Sequence, residues 1–225
     1  MMDQPDLDVR RHVHALDALG RANAVSRTAA AIWPPIRQAA QAATVRPMRV
    51  LDVASGGGHV LLALARRAIR DRVEIEWLGW DLSPVAIDYA RTLASGSGVK
   101  GVRFERGDAL RDPMPAGVDV AVCTLSLHHL SDSDAAALLR RMKEAARVAV
   151  VVSDLRRTML GAVFTWVGCR ALSRSPVFRV DGMRSIAAAF TTDEARDLAA
   201  TAQLTGGRVS QIWPQRWLIT WRNPA

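Results

Sequence analysis

The chain has 225 residues, a net charge of +8, 49% hydrophobic and 23% charged residues, with 15 glycines and 10 prolines. This is enough chain for one substantial α/β core with a small appendage, and the balance excludes a disordered, collagen-like or disulfide-stapled protein. Two cysteines, Cys123 and Cys169, cannot build a disulfide framework or a four-thiolate metal site. The start at Met1, Met2 and Asp3 lacks the basic, apolar character of a leader, and no apolar stretch approaches the ~20 residues that span a bilayer. A cytoplasmic protein is expected.

The charge is unevenly placed. From Arg140 onward there are 14 basic and 6 acidic residues, whereas the preceding stretch is balanced. All but Lys100 and Lys143 of the 30 bases are arginine, a usage that reads equally as coding bias or as a basic surface.

In chain order, the first 45 residues read as helix, with Leu7, Val9, Val13, Leu16 and Leu19 at three- and four-residue spacings and a second apolar pattern up to Trp33. Pro34 and Pro35 are expected to interrupt it. Met48 to Val53 reads as a buried strand, closed by Ala54, Ser55, Gly56, Gly57 and Gly58 and followed by a helix from Val60 to Ile69. Val73 to Trp80 is the next strand. Ser83 is the expected N-cap and Pro84 the first position of a helix to Leu93. Strands are expected at Val102 to Glu105, Val118 to Cys123 and Val148 to Val152, with a helix from Ser131 to Ala146 capped by Ser131 or Asp132. This alternation predicts a doubly wound, Rossmann-like parallel sheet whose ligands sit at the carboxyl ends of the strands.

After Asp154 the alternation stops. Arg156 to Ala189 reads as a helical lid inserted into the domain. Thr191 and Glu194 have capping-box spacing ahead of a helix to Ala202. Arg208 to Trp213 and Trp217 to Trp221 predict an antiparallel hairpin at the sheet edge, because their separation is too short for a parallel crossover.

The glycine turn after the first strand lets the backbone approach a ligand, and the helix behind it offers free N–H groups. A dinucleotide fingerprint would need a further glycine beyond Gly58, which His59, Val60 and Leu61 do not supply. Asp81 ends the second strand, where a carboxylate can accept both hydroxyls of a ribose. Asp108, beside the small Ala109, ends the third, where it can meet an exocyclic amine and leave room for a ring.

In these residues, over Val50 to Val152, the chain resembles the class I S-adenosylmethionine-dependent methyltransferases, and the C-terminal hairpin resembles that family's reversed last strand. The resemblance implies a seven-stranded, mostly parallel sheet with an antiparallel last strand, and S-adenosylmethionine as cofactor. The family's acidic residue is Asp52, its alternate glycines fall at Gly56 and Gly58, and Ala54 stands where the first glycine is usual. By position, Ala54, Ser55, Gly56, Gly57 and Gly58 would line the methionine moiety, Asp81 the ribose, Leu82 the adenine face, Asp108 and Ala109 the adenine edge, and Thr124 the end of the fourth strand.

The segment from Thr124 to Leu130 carries neither the acidic or Asn-Pro-Pro-aromatic signature of nucleic-acid amino-methylating relatives nor a Pro-Cys nucleophile. Its Leu127, His128, His129 and Leu130 resemble small-molecule methyltransferases near the ubiquinone and menaquinone type. Arg21, Ala22, Asn23 and Ser26, the stretch from Ser153 to Arg157, and Val180, Asp181 and Gly182 resemble the methyltransferases that accompany bacterial type III polyketide synthases. What this implies is transfer to a small phenolic or polyketide-derived acceptor, most simply at oxygen. Carbon methylation of a quinol-like ring, an RNA- or protein-directed enzyme, and a non-catalytic cofactor-binding subunit are the alternatives.

Transfer to a phenol requires a collinear arrangement and a proton acceptor, for which His128 or His129 is the candidate base. Met159, Phe164 and Trp166 are expected to meet the acceptor, and Arg156 and Arg157 to favour a phenolate or carboxylate. Residues 1–47 are expected to form part of a substrate cover over a domain spanning 48–225. The lid's arginines also suit weak contact with anionic lipid. No ligand spacing for a metal is apparent, and no nucleic-acid partner is expected.

Overall fold

The structure is a computed structural model describing residues 9–43, 47–172 and 176–224. Residues 1–8 and 44–46 of the expected N-terminal segment, and 173–175 of the expected insertion, lie outside the described residues. Helices α1 (Val9–Val25) and α2 (Thr28–Ala42) come first. Then follow β1 (Met48–Val53), α3 (His59–Arg70), β2 (Ile75–Asp81), α4 (Pro84–Ser95), β3 (Val102–Arg106), β4 (Val120–Thr124), α5 (Asp132–Ala145) and β5 (Ala149–Leu155). The chain ends with α6 (Met159–Leu172), α7 (Pro176–Ala188), α8 (Thr192–Thr201), β6 (Arg208–Ile212) and β7 (Arg216–Arg222).

The strands make one seven-stranded sheet in the order β3-β2-β1-β4-β5-β7-β6. β1 to β5 pair in parallel, and β7 runs antiparallel to β5, with Ala149 opposite Arg222 and Leu155 opposite Arg216. The predicted fold class and terminal hairpin are both present, the latter placing β6 at the edge. Strand order reverses between β1 and β4, so the crevice at their carboxyl ends is where a doubly wound sheet binds its ligand.

Continuous apolar runs such as Val120 to Thr124 are buried on both faces, as a covered parallel sheet requires. One face packs Leu139, Met142, Leu198 and Trp217 under α5 and α8, and the other packs Ile32, Trp33, Ile36, Leu61 and Leu64 under α2 and α3. Each such side chain, fully buried, contributes about 1.5–3 kcal/mol. A third small cluster of Ala18, Cys169 and Phe178 joins α1 to the insertion helices.

Cap chemistry sets the helix starts. The side chain of Ser83 accepts the Ala86 N–H, that of Ser131 accepts the Asp134 N–H, and Thr191 and Glu194 close a reciprocal capping box. Pro34 and Pro35 break nothing, contrary to the sequence expectation, since α2 runs through both. Interior prolines cost about 3 kcal/mol each in an isolated helix. Here Ile32, Trp33 and Ile36 are all buried around them, and the Trp33 Nε1–H donates to Asp71 at 2.7 Å. Packing on α3 and β5 outweighs the local penalty.

Candidate active site

A cleft of about 300 Å³ opens over the tips of β1, β2, β3 and β4. Backbone conformation builds its floor. Ala54, Gly56 and Gly58 all have positive φ, at 55°, 53° and 76°, which turns the chain sharply away from β1. The Ser55 N–H donates to the Trp80 carbonyl, locking the turn to β2. A side chain at Gly58 is excluded twice, by its φ and because a Cβ would lie 2.6 Å from the Phe104 ring.

Asp81 ties the first and second strand tips together. Its Oδ2 accepts the Gly56 N–H at 2.8 Å and its Oδ1 the Ser83 N–H at 2.9 Å. Carboxylate oxygens accept more than one donor each, so the acid is oriented by the backbone and still faces the cleft. Asp108 Oδ1 accepts the Leu110 N–H at 2.9 Å, and its Oδ2 sits 3.6 Å from Arg111. Ala109, Leu82 and Thr124 line the same cleft.

Asp52 has a different place. It is buried behind the glycine turn, outside the cleft lining, and neither of its oxygens makes a hydrogen bond. Burial, and secondarily the charge of Asp81, push its pKa up to about 8. The Ser55 hydroxyl is likewise buried without a partner. Such orphaned groups under a turn of this kind fit a site that is completed by a polar ligand. Gly58 also lies outside the lining, where it shapes the turn, while Ala54, Ser55, Gly56 and Gly57 face the cleft.

A second cavity of about 380 Å³ adjoins the first, and Leu19, Asn23, Leu125 and His129 belong to both. Its walls come from α1, α6, α7 and the tip of the β6–β7 hairpin, including Phe164, Phe178, Ile186 and Trp213. Phe164 meets Trp213 edge-on at 5.7 Å. Of the residues expected to meet an acceptor, Phe164 lines this cavity and Met159 and Trp166 do not. The helical period explains the division. Gly161, Phe164, Thr165 and Gly168 share the inner face of α6, while Met159 (86% exposed) and Trp166 (49%) lie on the outer one.

The arginines also divide differently from expectation. Arg156 hydrogen bonds the Gln215 side chain and Arg157 pairs with Glu194, and neither lines the cavity. The arginine that does is Arg216, at the start of β7, 5% exposed.

His128 and His129 occupy a 3₁₀ turn, Leu127–His129, just beyond β4. Leu125 precedes it at a φ of 56°, a conformation that non-glycine residues adopt at strained functional turns. His128 Nδ1 lies 2.7 Å from Asp154 Oδ1, and its backbone N–H donates to Asp154 Oδ2 at 3.1 Å. Both side chains are buried, and His128 lines the second cavity. Donation from Nδ1 to the carboxylate leaves Nε2 as the basic nitrogen. The His129 ring lies tilted by 42° against that of His128 with centroids 4.1 Å apart, at the junction of the two cavities. The sequence names Asp154 only within the Ser153 to Arg157 stretch and gives it no role, although it stands at the tip of β5, as Asp52, Asp81 and Asp108 stand at or just beyond the tips of β1, β2 and β3.

Helix α1 covers both cavities. His12, Leu16, Leu19 and Asn23 fall on one face and line the cleft. The Tyr89 hydroxyl donates to Asp17 on α1 and lies 3.2 Å from His59 Nε2. Burial and the Asp17 contact push the Tyr89 pKa up to about 12, and burial lowers that of His59. Tyr89 therefore stays protonated and His59 neutral near pH 7. No residue of this latch stood out in the sequence.

Residues 50–161 match the family model described as "Methyltransferase domain". Demethylmenaquinone methyltransferase of Deinococcus radiodurans is 40% identical over 95 residues, which is 42% of this chain and 37% of that protein. The chain thus covers little more than a third of this curated relative's length. Among solved structures, human N-acetylserotonin methyltransferase in complex with S-adenosylmethionine superposes with a TM-score of 0.66 at 14% identity, covering 92% of this chain and 54% of that one. An O-methyltransferase family 2 protein from Planctomyces limnophilus, in complex with apigenin, gives 0.62 at 17% identity, covering 97% and 63%. At such identities the likeness is one of fold. With the family match and the strand-tip cleft described above, residues 50–161 carry a methyltransferase domain of the class I, S-adenosylmethionine-dependent kind.

Proposed function

We propose that this protein transfers the methyl group of S-adenosylmethionine to a hydroxyl of a small aromatic acceptor, phenolic or polyketide-derived. The observation that carries the reading is a buried histidine–aspartate pair, His128 and Asp154, whose imidazole lines the second cavity next to the His129 junction with the first. In the polar cleft, Asp81 would take the ribose hydroxyls, Leu82, Asp108 and Ala109 the adenine, and Ala54 to Gly57 the methionine portion, above the orphaned Asp52. The cofactor, when bound, supplies an electrophilic methyl on a sulfonium sulfur.

The apolar second cavity suits an aromatic ring. There the acceptor hydroxyl would meet Nε2 of His128, which takes its proton as the new C–O bond forms and the S–C bond breaks, leaving S-adenosylhomocysteine. Asp154 keeps the imidazole in the required tautomer and stabilises the imidazolium, the familiar logic of a base oriented by a buried acid. His129 would border the transfer path. Methylation at a phenol's oxygen or at its ring carbon releases a proton that such a base can take; oxygen is chosen because the hydroxyl is the group placed at Nε2. That the Planctomyces protein is an O-methyltransferase holding the phenolic apigenin agrees with this choice.

The test is a single-turnover assay with a panel of phenols, after calorimetry with S-adenosylhomocysteine. His128→Ala should retain the nucleoside and lose transfer to oxygen, and an unchanged rate would remove the base from the scheme.

A second reading concerns location. Met159, Val163, Trp166 and Val167 are exposed on the outer face of α6, with the Arg170 guanidinium 4.0 Å over the Trp166 ring. Beside them Trp213 is 67% exposed. An apolar face carrying Arg170 at the cavity's outer wall suits the surface of an anionic bilayer, from which a greasy acceptor could enter. No helix among the described residues is long and apolar enough to cross a membrane.

A further inference from the structure

Arg216 is the buried charge that the proposed chemistry leaves unused. It emerges at the start of β7, opposite Leu155 in the sheet, and lines the second cavity. Among the described residues no carboxylate lies within ion-pair distance of it. Its Nη1 donates to the Thr28 hydroxyl and its Nη2 to the Ser26 hydroxyl at 2.8 Å, both just after α1, while Nε makes no hydrogen bond. The nearby Asp154 is committed to His128 and to the Leu155 N–H. Asp181, the acid on the α7 wall, is set beside Cys169.

Burying a guanidinium costs several kcal/mol unless an anion answers it, and two neutral hydroxyls answer only part of that cost. Burial lowers the Arg216 pKa to about 10, against an opposing pull from Asp154. The group therefore remains a cation near pH 7. Hydroxyls hold one edge of the planar fork in place, which pre-orients it for a two-oxygen anion.

We propose that Arg216 receives the carboxylate of the acceptor, so that the substrate class is a hydroxyaryl carboxylic acid held between this guanidinium and the His128 base. The inference rests on the methyltransferase reading above and deepens it. The apolar walls from Phe164, Phe178 and Ile186 would enclose the ring or an alkyl substituent. The acid end would sit at Ser26 and Arg216, and the hydroxyl end at His128 and His129. Among the arginines expected to greet an anion, Arg156 and Arg157 already have partners, which leaves the role to Arg216.

The experiment is calorimetric titration of the protein saturated with S-adenosylhomocysteine, using a hydroxynaphthoate, its methyl ester and its carboxamide. The acid should bind at least about tenfold more tightly than either neutral analogue, as expected for a charge-assisted pair in a shielded site. Arg216→Gln should abolish that preference by weakening the acid far more than the ester, and Arg216→Lys should restore part of it. Because removal of a buried residue can unfold the chain, the comparison of acid with ester in the wild type stands by itself. Equal binding of acid and ester, or a preference that survives in Arg216→Gln, overturns the inference. Failure to bind S-adenosylhomocysteine at all would instead sink the methyltransferase reading beneath it.

Discussion

The carboxylate of Asp154 holds His128 at two points, through the ring Nδ1 at 2.7 Å and the backbone N–H at 3.1 Å. The imidazole is thereby fixed in orientation as well as in tautomer. Asp154→Asn keeps the shape but replaces a charged acceptor with an amide. Single-turnover transfer to a phenolic acceptor should fall about 10²- to 10⁴-fold, with S-adenosylhomocysteine affinity changing less than about twofold. Equal losses in rate and cofactor affinity would reduce Asp154 to a structural role.

The buried Asp52 predicts an unusual pH dependence of stability. Its folded pKa of about 8 stands above its ordinary value of 3.8. Between those values the folded chain holds a proton that the unfolded chain has released. Unfolding free energy should therefore decline as pH rises through this window, by up to about 1.4 kcal/mol per unit. Below the lower value the contribution is fully present. Denaturant midpoints measured from pH 5 to 8.5 should fall in the wild type and flatten in Asp52→Asn; parallel slopes would contradict the assignment.

Tyr89 tests whether α1 covers the cleft as a latched helix. Tyr89→Phe removes the hydroxyl that reaches Asp17, worth about 0.5–1.5 kcal/mol. The dissociation constant for S-adenosylhomocysteine should rise about two- to tenfold, with faster proteolysis near α1. Unchanged affinity would show that α1 docks without this contact.

Gly58 is constrained by its neighbour as well as by its backbone. Gly58→Ala should destabilise the fold by about 2 kcal/mol or more, through a left-handed Cβ and overpacking against Phe104. Adding Phe104→Leu should recover the packing share alone. Thermal unfolding of the double-mutant cycle reads the coupling, and strict additivity would refute the contact.

The outer face of α6 should bind vesicles containing phosphatidylglycerol. Trp166→Ser should weaken co-sedimentation at least about fivefold, since inserting one large apolar side chain contributes about 1–3 kcal/mol. Raised salt should weaken it further by screening Arg170. Binding that ignores both changes would exclude this surface.

Much of this architecture is legible in the residues because local chemistry and tertiary structure agree. Ser83, Ser131 and Thr191 announce their helices, and the buried strands are continuous apolar runs. The strand-tip acids Asp81 and Asp108 fall in the cleft because a doubly wound sheet delivers its tips to one crevice. Pro34 and Pro35 mislead because local propensity is silent about what Trp33 packs against. On α6 the inner face escapes sequence reading because both faces are apolar, so periodicity offers no contrast between Phe164 and Met159. Arg216 and Asp154 remain hidden for another reason: their meaning arises from partners in distant segments, Ser26 and Thr28 in one case and His128 in the other.

One roof over two rooms has kinetic meaning. Because Leu19 and Asn23 of α1 border both cavities, displacement of that helix would, on the proposed reading, open the nucleoside and acceptor sites together. Release of spent cofactor and of methylated product would then be coupled through α1, and the Tyr89 contact with Asp17 would bear on both.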